Sequence, residues 1–365
     1  MGKSQNSILR IFLLASSLLL GWKIGYPWGF KAHRFINREA TKSLPSPLFA
    51  FYSEFAEYLE EHAVDPDKRR YTDTNEASKH YLDLEFYEQQ LPIDTIPHFW
   101  KNAIEKYGES HLKNFGSLPW QIQWSMFQLK KAFQSSDLKQ ILQISAELGH
   151  YVADAHVPLH TTANYDGQLT NQRGIHALWE TKIPDNAMDN YRLIIPKAQF
   201  WYSETDTIFT IITESHQLIS MILQAEKWIN NQIKPQQRYA ISTVENTGKP
   251  IKKFAEHYLF QCEKAMENSV ALRLQLAIHR VASCWYTAWI LAGQPNLPII
   301  RDYKFNSKFK AFVHHRKKSV AFPLMRFAPT PSFGNDYAKE LYSDSNDIID
   351  SLHHNDSHSD HCHKR

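Results

Sequence analysis

The residues best placed to do chemistry lie between His150 and Glu180. In the run His150-Tyr-Val-Ala-Asp154-Ala-His-Val-Pro-Leu-His160, an imidazole and a carboxylate are four positions apart. That spacing puts them one turn apart on a single helix face. Pro158 then ends the helix, so His160 can return from another direction. His176-Ala-Leu-Trp-Glu180 repeats the four-residue spacing. Imidazole nitrogen and carboxylate oxygen are ligands that borderline zinc accepts, and two such helices facing each other make the ligands converge. A lone His/Asp pair on a helix is ordinarily a surface or salt-linked pair. Here two pairs and His160 fall close together, flanked by the apolar residues Leu148, Val152, Leu159 and Trp179. This points to a helical interior, where unpaired imidazoles and carboxylates are costly.

Two clusters lie upstream. One is Trp28-Gly-Phe-Lys-Ala-His33; the other runs from Asp65-Pro-Asp67 through Asp73, Glu76 and His80 to Asp83. Taken alone, each reads equally well as a common turn and a solvent-facing histidine.

Helices must carry these groups. Apolar periodicity predicts helices over 28–44, 48–62, 93–110, 119–134 and 138–155, with Asp137 near the start of the last. Residues 65–75 read as a charged turn broken by Pro66, and 161–173 as a polar loop. A helix restarts at Gly174, and long helices are expected over 205–230 and 251–291. No set of alternating strands could form a central sheet, and no short repeat stands out. The reading is an all-α, multi-helix single domain over about 28–295, then a basic and aromatic extension (296–341) and a Ser/Asp/His-rich tail (342–365) of disordered composition.

The ends and the composition set bounds. Lys3 and Arg10 precede an apolar run from Ile11 to Leu20, the layout of an export signal. Gly21 and Gly25 with Lys23 between them, and Pro27 before Trp28, make a poor cleavage site, so membrane attachment through residues 8–26 is the alternative to a cleaved signal. The net charge of +3 is too small to indicate a polyanionic partner by itself. The three cysteines form no dense disulfide framework; Cys262 and Cys284 read as two buried thiols, with a pair across two helices as the alternative. Nothing calls for a protein partner.

Over about 28–290 these segments resemble the S1/P1 nuclease and zinc-dependent phospholipase C superfamily. The paired motif His-x3-Asp-x5-His followed by His-x3-Glu carries the resemblance, with the opening Trp-Gly-x3-His of the nuclease branch. It implies an all-α fold of the phospholipase C/P1 nuclease type with three zinc ions at the base of a cleft. One zinc is then held by Asp67, His80, His150 and Asp154, and a second by His160, His176 and Glu180. The third takes His33, a second oxygen of Asp154, and the backbone amine and carbonyl of an N-terminal Trp28. Two zincs remain if Trp28 is not the N-terminus. Asp-x5-Asp-x2-Glu over Asp67, Asp73 and Glu76 favours Asp67 as the ligand, although the short distance to His80 leaves Asp65 open. Glu180 stands where the nuclease branch usually has Asp and matches the phospholipase branch.

The activity implied is zinc-dependent hydrolysis of phosphate esters outside the cytoplasm, with Asp67 and Asp154 as catalytic residues and Glu76 or Asp83 fixing ligand imidazoles. Single-stranded nucleic acid is the first substrate and phospholipid the alternative. A non-catalytic zinc-binding protein, aided by the tail histidines, is the competing class.

Overall fold

The computed structural model describes residues 29–88, 93, 95–243 and 249–297. The expected signal or anchor (1–27), Trp28, nearly all of the 296–341 extension and the 342–365 tail lie outside the described residues.

Regularly spaced apolar residues dictate a chain of helices: α1 (Phe30–Ser43), α2 (Ser46–Glu54), α3 (Ala56–His62), α4 (Asp65–Arg69), α5 (Trp100–Tyr107), α6 (Glu109–Phe115), α7 (Leu118–Gln134) and α8 (Leu138–Asp154). A polar loop leads to α9 (Ile175–Ala177), a π-helical turn (Leu178–Lys182), α10 (Ile183–Ala187), α11 (Glu204–His216) and α12 (Ile219–Gln232). Strands β1 (Tyr239–Thr243) and β2 (Pro250–Phe254) then precede α13 (Glu256–Ala265) and α14 (Ser269–Leu291).

α14 packs along α1, α7 and α8, and α8 also lies against α3 and α1. The centre of this bundle is aromatic. Trp285 stacks on Tyr52 with ring centroids 5.0 Å apart, and its indole nitrogen donates to the Ser145 carbonyl (3.0 Å). Both rings are fully buried, which places them among side chains whose loss costs about 3–5 kcal/mol. Asp137 caps α8 by accepting from the Gln140 amide (3.1 Å). Cys262 and Cys284 are buried free thiols. No helix among the described residues is long and apolar enough to cross a membrane.

The fold is largely helical, as its periodicity implies, but several helices are divided. The segment 48–62 breaks at Phe55, and 205–230 breaks at residues 217–218. The expected helix 251–291 opens instead as strand β2, then breaks after α13. There Glu267 and Asn268 adopt φ of +55° and +54°, a left-handed pair that interrupts the helix and that asparagine tolerates. Apolar spacing continues across such breaks because it reports which face is buried, not whether the backbone is continuous. Pro66 starts α4 rather than breaking it, since its missing N–H falls where a helix has no use for one. β1 and β2 pair antiparallel, Tyr239 with Phe254 and Ile241 with Lys252, as a ribbon between α12 and α13.

Candidate metal centre

Four-residue spacing on α8 does what it predicts: His150 and Asp154 face the same way, both fully buried. Around them α1 brings His33 and α4 brings Asp67. A 3-10 turn (Ala77–His80) ends on His80, and a second (Pro158–Thr161) presents His160. α9 supplies His176 and the π turn supplies Glu180. π turns are rare and often sit at functional sites.

Three groups of ligand atoms result: His33, His150 and Asp154; Asp67, His80 and His150; and His160, His176 and Glu180. Asp154 lies between them. Its Oδ1 is 3.4 Å from His33 Nε2 and 3.7 Å from the His160 ring. Its Oδ2 is 2.8 Å from His80 Nδ1 and 3.2 Å from His150 Nε2. Asp67 Oδ1 is 3.8 Å from His150 Nε2 and 3.9 Å from His80 Nδ1. His176 Nε2 and His160 Nε2 approach the two Glu180 oxygens at 3.0 and 3.3 Å.

These atoms converge without satisfying one another. Both Asp67 oxygens, Asp154 Oδ1, both Glu180 oxygens and His176 Nε2 are buried and make no hydrogen bond, even where they lie within 3.0 Å of a neighbour. Orphaned buried polar atoms are rare, and several in one place call for an ion. The donor chemistry fits zinc. His150 donates from Nδ1 to the Ala63 carbonyl (2.8 Å), and His160 donates from Nδ1 to the His80 carbonyl (2.7 Å). Each bond fixes the tautomer that leaves Nε2 as a lone pair aimed inward. His150 Nε2 and His80 Nδ1 are 3.1 Å apart, close to the edge of about 3.3 Å expected between ligands of a tetrahedral zinc.

Electrostatics follow from the same contacts. Burial works to raise the Asp154 carboxyl, yet the imidazoles of His150, His160 and His33 hold it well below the carboxylate range. Burial works to lower His150, but Asp154 and Asp67 push it up to about 9. Glu180 is lowered: burial opposes ionisation, and His176 and His160 overcome it. His33 goes the other way, lowered by burial and by His150, on which it stacks at 3.9 Å.

A second layer holds the ligands. Glu76 is fully buried and accepts from Tyr151, Lys79 (3.0 Å) and Arg69 (3.3 Å), with its Oε1 3.6 Å from His80 Nε2. Asn37, one turn beyond His33, donates to the Leu59 and Ala146 carbonyls, tying together the three helices that meet here. Gly149 permits that crossing: a Cβ there would lie 2.0 Å from Asn37 Oδ1. Arg273 on α14, itself buried, donates to the His156 carbonyl (3.1 Å) and braces the turn between Asp154 and His160.

Every described residue of the sequence-derived ligand set is thus brought together. Trp28 lies outside the described residues; its neighbour Gly29 donates its amide to the Glu180 carbonyl (3.2 Å). Asp65 is drawn away, its carboxylate bound to His62 (2.5 Å) and Lys68 (2.9 Å), whereas Asp67 faces the cluster. His156, inside the key motif, joins no ligand group: its Nδ1 donates to the Val152 carbonyl (2.7 Å) and its Nε2 faces Arg280. Sequence reasoning missed Asn37, Gly149 and Arg273, which carry no local signal, and Arg70, whose guanidinium is 3.8 Å from Asp67 Oδ1. At the rim, burial and the neighbouring Glu85 push the Asp83 carboxyl up to about 7, against the pull of His160. Glu85 in turn fastens the 161–174 loop by accepting from Thr162 and the Ala163 amide. Tyr165 on that loop is half exposed, with its ring 6.0 Å from that of His176.

Comparison with known proteins agrees with this chemistry. No curated protein matches the chain. Residues 28–284 match the family model described as S1/P1 Nuclease. That match spans well over half of the chain and contains every ligand group, so the chain belongs to the S1/P1 nuclease family of zinc-dependent phosphoesterases.

Proposed function

We propose that this chain cleaves phosphodiester bonds of single-stranded nucleic acid, outside the cytoplasm, with residues 28–295 as the catalytic unit. The observation that carries the reading is Asp154, whose two oxygens face different ligand groups. On this reading Asp67, His80, His150 and Asp154 hold one zinc, and His160, His176 and Glu180 a second. His33, Asp154 and, once processing makes Trp28 the N-terminus, its amine and carbonyl would hold a third. The contact of Gly29 with the Glu180 carbonyl supports a role for Trp28, because it fixes the start of the domain beside a ligand.

Bound zinc supplies Lewis acidity and lowers the pKa of water towards neutrality. The chain's own residues do the rest. Asp67 Oδ1 faces the two imidazoles, which leaves Oδ2 to take a proton from the attacking water. Arg70, partly exposed beside Asp67, offers a charge-assisted donor to a non-bridging phosphate oxygen. Tyr165 presents a half-exposed ring on which a base can stack. Asp83 stands at the rim, where burial and Glu85 disfavour its charged form. Glu76 orients His80 through the imidazole nitrogen that faces away from the cluster.

The test is turnover of single-stranded DNA, RNA and phosphatidylcholine side by side, with and without chelator, together with elemental analysis of the exported protein. Chelator-sensitive nucleic-acid cleavage and two to three zincs per chain are expected. Lipid cleavage without nucleic-acid cleavage would assign the chain to phospholipid instead, the reading that Glu180 favours. Less than one zinc per chain would defeat both.

A further inference from the structure

We propose that the β1–β2 ribbon is a contact for an anionic lipid surface. The ribbon stands outside the catalytic machinery, and no ligand group includes a residue of it. Its root is fastened. Phe254 stacks on Tyr239 at 5.0 Å and on Tyr258 of α13 at 5.4 Å. The Tyr258 hydroxyl donates to Asn230 Oδ1 on α12 (2.9 Å), and Arg238 donates to the Ile233 carbonyl (3.0 Å). Beyond that root two aliphatic side chains meet solvent: Ile241 is 82% exposed and Ile251 45%. A two-stranded ribbon with bare isoleucines gains nothing for its own stability from them.

Charge identifies the occupant. Over 233–255 the sequence carries Lys234, Arg238, Lys249, Lys252 and Lys253 against a single carboxylate, Glu245, a strong basic excess. Lys252 lies over the Tyr239 ring (3.9 Å to the centroid), and the register sets it directly across from Ile241. Basic heads interleaved with exposed aliphatic side chains suit a surface with anionic headgroups above acyl chains. A second copy of this chain would oppose one basic arm with another. A nucleic-acid strand would satisfy the lysines but leave the isoleucines in water, and the Tyr239 ring is already flanked by Phe254 and Lys252.

The experiment measures binding of the full exported protein to vesicles of phosphatidylcholine alone and of phosphatidylcholine mixed with phosphatidylglycerol. Any contribution from residues 1–27 is common to parent and variants. The parent is expected to prefer the mixed vesicles, with affinity falling as salt rises. Lys252→Glu/Lys253→Glu should weaken that binding by about tenfold or more, and Ile241→Ser severalfold with the salt dependence kept. Turnover of a soluble dinucleotide should match the parent in both, which also reports that they fold. Parental vesicle binding by both variants, or equal binding to the two vesicle types, overturns the proposal. So does a double variant that loses single-stranded DNA cleavage while keeping vesicle binding, which would make the ribbon a nucleic-acid arm. Conversion of a dimer to a monomer by Ile241→Ser, with vesicle binding retained, would make it a self-association surface.

Discussion

The metal centre and the β ribbon break the ordinary rule of burial in opposite directions. At the centre, ionisable side chains are enclosed: His33, His150, Asp154 and Glu180 are fully buried. On the ribbon, an aliphatic side chain is left in water, with Ile241 82% exposed. Their support differs as much as their burial. The centre draws on α1, α4, α8, α9 and three turns, cross-linked by Asn37, Glu76 and Arg273. The ribbon is fastened at its root, by Phe254 between Tyr239 and Tyr258. Enclosed charge demands rigid scaffolding and a compensating ion. Exposed apolar surface demands little from the fold and acts only when a partner arrives. Substitutions should therefore damage activity and stability together at the centre, and leave both nearly untouched on the ribbon.

The largest expected effect is at Asp154. Asp154→Asn keeps the shape but removes the charge that faces two ligand groups. Its loss of kcat/KM should exceed the roughly 10–100-fold typical of residues that only orient ligands. Zinc content, read by elemental analysis, should fall with it. Near-parental activity and metal would mean that the ligand set must be rebuilt.

Glu76→Gln comes next, with about a 10–100-fold loss in zinc affinity or turnover. Its stability effect has a defined pH dependence. Burial works to raise the Glu76 carboxyl, but His80, Arg69 and Lys79 hold it far below its ordinary value of 4.5. A depressed folded value means that the stabilisation is fully present above the unfolded pKa and is lost as pH falls towards the folded one. The gap in melting temperature between parent and Glu76→Gln should be widest at neutral pH and narrow below about pH 4.5. A gap that widens in acid would contradict the assignment.

Gly149→Ala tests the scaffold rather than the chemistry. Its Cβ would sit 2.0 Å from Asn37 Oδ1, so either the Asn37 amide gives up its bonds to Leu59 and Ala146 or α1 and α8 part, at a cost of about 1–3 kcal/mol. Denaturant unfolding would show it, and parental stability would remove the crossing from the account. The smallest effect is on the ribbon: Ile241→Ser should change unfolding free energy by less than about 0.5 kcal/mol. A large loss would mean that the ribbon is part of the core.

By itself the sequence determined the helical class, the kind of metal and most of the residues that gather in the three candidate metal groups. His150 with Asp154, and His176 with Glu180, are legible because a four-residue spacing is a local property of any helix. The buried thiols Cys262 and Cys284 were legible from their apolar neighbours for the same reason. Only the tertiary structure turns Asp67, and not Asp65, towards the candidate metal groups. Both sit in the first turn of α4, and the choice turns on His62 capturing one of them from α3. It also decided the breaks at Phe55 and Glu267–Asn268, the π turn under Glu180, the inward turn of His156, and the role of Asn37 against Gly149. Spacing along a chain fixes which side chains share a face of one element. Which faces then meet depends on packing between residues far apart in sequence, as with Asn37 and Ala146, and no local pattern records it.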